Sequence, residues 1–195
     1  MLQDLLDENI KWVDKQKALD PEYFEKLSKG QEPEIMLVGC CDSRFPFEVI
    51  TNSIPGDIFV HRNIANQVNP IDEDVISSIE FAVKVLEVKH IVVCGHYECG
   101  GVKAGMEHVD LPHVNSHIDS VKELFDKSKS DLSELSEVDK YKKMVELNVE
   151  IQCGNLSNLD FVKEATESKQ FPHIHGWVLD LSSGLIKNLN VNDYS

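Results

Sequence analysis

Ile35-Met36-Leu37-Val38-Gly39-Cys40-Cys41-Asp42-Ser43-Arg44 decides the fold. Ile35 to Val38 is an unbroken apolar run, as in a strand covered on both faces. It stops at Gly39, and thiols, a carboxylate and a guanidinium follow at once. A second run, His90-Ile91-Val92-Val93-Cys94, stops in the same way at Gly95-His96. Between the two, residues 52–57 read as a turn and Ile58-Phe59-Val60 as another strand. Residues 72–86 then carry Val75, Ile76, Ile79, Phe81, Ala82, Val83 and Leu86 at helical spacing. Strands alternating with amphipathic helices predict an α/β fold, a mainly parallel sheet flanked by helices.

Reading outward, Leu2, Leu5, Leu6, Ile10 and Val13 give residues 2–18 a helical period. Asp20-Pro21-Glu22 caps and opens a short helix to about Leu27, and Gly30 to Pro33 breaks it. This segment precedes the compact part, so it is expected as an arm that packs on a partner subunit. The organisation expected is one domain over 1–195, with a helical arm at 1–29 and the α/β unit at 30–195. Residues 108–139 are polar, with helices expected around 116–126 and 138–151. Residues 128–137 are expected as a mobile connection, although their Ser, Asp and Glu equally suit helix caps. A short helix over 159–167, a strand over 174–181, the turn Ser182-Ser183-Gly184 and an edge strand over 185–191 complete the chain.

Thirty-four acidic residues against nineteen basic leave a formal charge of −15. That surface repels phosphate backbones and anionic lipid, which argues against nucleic-acid and membrane partners. No run reaches the ~18 consecutive apolar residues of a spanning helix. The first ten residues are acidic and amphipathic, unlike a basic-then-apolar signal peptide, so a cytoplasmic location is expected. Five cysteines, an odd number, favour reduced thiols that bind metal or pack in the core. Only Arg44 and Arg62 of the nineteen basic residues are arginine. Lysine serves for surface charge here, so these two positions call for the planar five-donor fork.

Open parallel sheets bind ligands beyond the carboxyl ends of their strands. Cys40 ends one buried strand, and His96 and Cys99 lie on the loop that ends another. Two thiolates and an imidazole suit zinc, and three protein ligands leave a fourth position open. Neighbouring side chains on a strand point opposite ways, so only one of Cys40 and Cys41 faces the site. Cys94 and Cys153 read as core cysteines. His61, His90, His108, His113, His117, His173 and His175 lack ligand-like spacing and read as exposed or structurally satisfied. Asp42 either binds the metal itself or accepts a fork of hydrogen bonds from Arg44.

Cys40-x-Asp42-Ser43-Arg44, the stretch from Pro55 to Asn66 that contains His61-Arg62-Asn63, and Gly95-His96-x-x-Cys99-Gly100-Gly101 resemble the β-class carbonic anhydrases. His175-Gly176-Trp177 resembles that family too, and the likeness runs in order from about residue 2 to 191. The resemblance implies one Zn2+ per subunit on Cys40, His96 and Cys99. It also implies reversible hydration of carbon dioxide to bicarbonate by a zinc-bound hydroxide that an Asp42–Arg44 dyad orients. Gln31, Phe59, Ile64 and Phe81 would line the carbon dioxide pocket at the interface of a homodimer or tetramer, and the Gly100 amide would touch the bound anion. Phe81 stands where the family commonly has tyrosine. Some bacterial members bind bicarbonate at a non-catalytic site of tryptophan, arginine and tyrosine; here those positions read Leu37, Arg62 and Leu179, which lack two of the partners. The rival readings are a carbonyl sulfide or carbon disulfide hydrolase on the same scaffold, and a structural-zinc or redox-sensing protein using Cys40 and Cys41.

Overall fold

The computed structural model describes residues 1–107 and 109–191, so His108 lies outside the described residues. The chain forms two compact units, Met1–Glu32 and Pro33–Ser195. In the first, α1 (Leu2–Leu19) is followed by α2 (Tyr23–Ser28), and the rings of Tyr23 and Phe24 meet Trp12 edge-on at 6.2 and 5.6 Å. Asp20 accepts from the Glu22 amide, so the Pro21 position forms a turn and α2 starts two residues later than its cap signal suggests. Nothing in α1 is buried: Leu2, Leu5, Leu6 and Ile10 are at least 60% exposed.

The second unit runs β1 (Ile35–Cys40), α3 (Phe47–Ile50), β2 (Ile58–Asn63), a 3-10 turn (Ile64–Asn66), α4 (Glu73–Lys84), β3 (His90–His96) and α5 (Gly100–Met106). It continues with α6 (Pro112–His117), α7 (Asp119–Leu132), α8 (Glu137–Ser157), α9 (Asp160–Lys169), β4 (His173–Asp180) and β5 (Leu185–Asn188). The strands lie in the order β2-β1-β3-β4-β5, parallel except for the antiparallel edge strand β5. The mainly parallel, helix-flanked sheet read from the sequence is the fold found.

Period two divides the strands between two cores. Met36, Val38, Ile91 and Val93 pack with Ile79 of α4 and Val149 and Leu156 of α8. Leu37, Val92, Cys94 and Leu179 face the other way, against Phe45 and Phe47. Each such fully buried aliphatic side chain contributes about 2 kcal/mol. Close packing beneath the strand ends depends on Gly39, where a Cβ would come within 2.8 Å of the Phe45 ring.

Residues 128–137 correct one expectation. α7 continues through them to Leu132, which is buried like Val121 and Leu124, while Lys127–Glu123 and Lys129–Asp126 pairs occupy its wet face. The polar residues there are one side of a helix. Ser136 then caps α8, its hydroxyl accepting from the Asp139 amide at 3.2 Å. α8 also runs past Cys153, placing that buried thiol inside the helix.

Candidate metal centre

β1 and β3 are adjacent and parallel, so their carboxyl ends open side by side. Cys40 is the last residue of β1, His96 the last of β3, and Cys99 the residue before α5. Their ligand atoms all lie within 4.8 Å of one another, and all three residues are buried. Cys41, by contrast, is exposed. The two sulfurs are 3.8 Å apart. Two thiolates on one tetrahedral zinc, each at about 2.3 Å, would sit about 3.8 Å apart. His96 Nδ1 lies 2.9 Å from the Tyr97 carbonyl, which can only accept, so Nδ1 carries the proton and Nε2 a lone pair. That Nε2 is buried with no hydrogen-bond partner. An orphaned buried acceptor beside two thiols is a cost that a bound cation removes. The donor set therefore fits zinc. Without a cation the thiols share a proton: the bond from Cys99 draws the Cys40 pKa down, while the same pairing and burial drive that of Cys99 up.

Arg44 holds Asp42 in a fork, Nε on Oδ1 at 3.0 Å and Nη2 on Oδ2 at 2.8 Å, and its amide adds a bond to Oδ1 at 2.9 Å. Of the two roles open to Asp42, this is the arginine-bound one. These bonds keep its carboxyl well below the usual carboxylate range. Asp42 Oδ2 stands 3.8 Å from His96 Nε2. Arg44 also reaches the Glu98 carbonyl at 3.1 Å. Glu98 has φ of +61°, a left-handed conformation that strains a side-chain-bearing residue, and its bond to Arg44 helps to hold it. The Tyr141 hydroxyl donates to the next carbonyl, that of Cys99.

Arg62 has a related use. Its Nε and Nη2 donate to the Cys40 and Asp42 carbonyls, both at 2.8 Å, and its guanidinium lies 5.6 Å from the Phe45 ring centroid. Both arginines thus serve one loop. Ala65, also left-handed at φ of +61°, is fixed through its carbonyl by the side-chain amides of Gln67 and Asn148 at 2.7 and 3.0 Å. Its own backbone amide in turn supports the Cys40 sulfur.

Of the pocket residues, Phe59 of β2 and Phe81 of α4 stack at 5.9 Å. Ile64 opens the 3-10 turn against Gly101, and Gly100 is the first residue of α5. Gln31 belongs to the N-terminal unit. Cys94 and Cys153 are buried core thiols, with Cys153 pushed up to about 12 by burial. His61 is satisfied by Ser78 and Asn63, and half-buried His117 donates to the Ile64 carbonyl. Sequence reading misses Tyr141, Phe45 and Asn148, whose parts depend on tertiary contacts and leave no local signal. It also misses that His90, His173 and His175 meet.

Fold and centre together define an α/β protein with an open three-ligand Cys-His-Cys group at its strand ends. The carbonic anhydrase family model matches residues 35–186. A carbonic anhydrase of Emericella nidulans is 41% identical over 189 residues, 96% of this chain and 83% of the relative. A β-carbonic anhydrase structure from Aspergillus fumigatus superposes with a TM-score of 0.94 at 35% identity, covering 98% of this chain and 92% of that one. One from Sordaria macrospora, described as tetrameric, gives 0.93 at 35% identity and 96% coverage of each. The chain belongs to the β-class carbonic anhydrase family, and it is an enzyme of that family.

Proposed function

We propose that the chain catalyses reversible hydration of carbon dioxide to bicarbonate and a proton, with one zinc held by Cys40, His96 and Cys99. The observation that carries the reading is the three-ligand group with the arginine-bound Asp42 carboxylate on its flank. Three ligands suit an open, reactive centre better than a closed structural one. When bound, zinc supplies a Lewis acid that makes water a usable nucleophile near neutral pH.

The chain's own residues supply the rest. Asp42, ionised and accept-only, takes two N–H bonds on Oδ1 and one on Oδ2, so Oδ2 keeps accepting capacity beside His96. It can therefore accept a proton-bearing nucleophile and aim its lone pair at carbon. Arg44, holding both carboxylate oxygens, would keep Asp42 back from a bound metal. We assign Phe59, Phe81, Ile64 and Gln31 to the carbon dioxide pocket and the Gly100 amide to the product anion, on the resemblance. Exposed leucines along α1 and the tetrameric relative support a homo-oligomer joined through this arm. Five free thiols support a reducing, cytoplasmic setting.

Stopped-flow carbon dioxide hydration, measured on zinc-loaded and chelator-stripped protein, tests the reading. Fast hydration lost on stripping and restored by zinc is expected. Zinc-loaded protein no faster than buffer would overturn it.

A further inference from the structure

The amino-terminal end of the sheet carries a second cluster of metal-ligating side chains. His90 opens β3 and His173 opens β4, and the two are paired in register, so their side chains leave the same face. His175, two residues along β4, shares that face. The ring centroid of His90 lies 5.5 Å from that of His173 and 5.1 Å from that of His175. His90 Nδ1 and His175 Nε2 are 3.1 Å apart. His96 stands six residues further along β3, roughly 20 Å away, so hydration at the Cys-His-Cys centre makes no use of this cluster.

Two nitrogens about 2.0–2.1 Å from one metal are separated by about 2.9 Å at a square-planar corner and about 3.3 Å at a tetrahedral one. The observed 3.1 Å falls between these values. One divalent ion can therefore replace the shared proton once both rings turn to bring their lone pairs onto it. His90 and His175 are half-buried and held by strands, which lowers the entropy lost on binding. Burial, then His90 and His173, push the His175 pKa below its usual value, which favours the neutral ring with one nitrogen free of a proton. His173 is exposed, and as the rings stand it is outside the coordinating group, since Cys40, His96 and Cys99 are the one preset triple among the described residues. A side-chain rotation would bring it in. Lys89, beside His90 in sequence, is held over the Phe171 ring at 3.6 Å.

We propose that His90 and His175, completed by His173, form a second transition-metal site for nitrogen-preferring divalent ions such as Ni2+, Cu2+ or Zn2+. The ligand sets separate the two centres. Thiolates favour soft zinc at the carboxyl edge, while an all-imidazole group follows the series in which Ni2+ and Cu2+ bind well.

Trp177 reports on this site directly, because its ring lies 6.1 Å from that of His175. Trp12 is the only other tryptophan, so a Trp12→Phe background isolates its fluorescence. Zinc-loaded Trp12→Phe protein titrated with Ni2+ is expected to show saturable quenching at one equivalent, with micromolar affinity. His90→Gln and His175→Gln should each abolish the saturable phase, and His173→Gln should weaken it about tenfold. Circular dichroism confirms folding, and either core variant alone suffices if the other fails to fold. Absence of saturable quenching in the parent, or its survival in a folded His90→Gln or His175→Gln protein, would overturn the proposal.

Discussion

His96 uses one ring nitrogen on the Tyr97 carbonyl and leaves the other buried without a hydrogen-bond partner. Serine at Cys40 or Cys99 should lose zinc and hydration together, because a neutral hydroxyl does not replace a thiolate. Metal analysis and stopped-flow rates on the same preparations check this. Asp42→Asn should keep its zinc yet slow turnover roughly 100-fold or more, since the amide accepts and orients less well. Equal turnover by the two proteins would remove Asp42 from the mechanism. Arg62 belongs to the same scale. Two of its five N–H donors are committed to the carbonyls of Cys40 and Asp42, and Leu37 and Leu179 offer an anion there no hydrogen bond. A bicarbonate-soaked crystal near neutral pH should therefore show no ordered anion beside Arg62 and an unbroken Asp42–Arg44 pair. Cys40, His96 and Cys99 are legible in the sequence alone, because strand ends and a two-residue gap are local signals. That Arg62 braces the loop is not, because its partners lie 22 and 20 positions away in sequence.

At the level of elements, β1 and β3 are legible for the same reason that they are central: both faces are buried, so neither shows alternation. The last turns of α7 are not, because beyond Leu124 and Phe125 only Leu132 is buried and the polar residues between look like a loop when read linearly. Two elements invite tests. A Cβ on Gly101 would lie 2.6 Å from Ile64 Cγ2 and 3.0 Å from the Ala65 Cβ. Gly101→Ala should push the 3-10 turn away from α5, cost about 1–3 kcal/mol in denaturant melts and depress turnover. The second is Glu146 of α8, which ties Tyr97 and Lys187 together, both at 2.6 Å. Burial pulls its pKa up, but those two hydrogen bonds outweigh it and hold the carboxyl below its usual value. A carboxylate lowered by folding stabilises fully above its unfolded pKa and loses that stabilisation as pH falls through the folded one. Melting temperature should accordingly fall more steeply below about pH 5 in the parent than in Glu146→Gln. Parallel curves would show that the tie contributes nothing.

For the whole molecule, the exposed leucines of α1 argue against a monomer on physical grounds, since such a row is normally covered. Removing residues 1–29 should lower the mass seen by analytical ultracentrifugation, whereas an unchanged mass would place the interface elsewhere. Stripping zinc should lower the melting temperature, because a ligand held only by the folded state adds about 4 kcal/mol at a thousandfold excess over its Kd. The arm's helical period is visible in the sequence. Cys40 and Cys99 stand 59 positions apart. A ribosome must therefore release β1, β2, β3 and the turn beyond before the pocket for metal exists at all. Until then Cys40 has neither of the two other ligands of its group. Assembly of the metal pocket thus waits until about half of each polypeptide has been made.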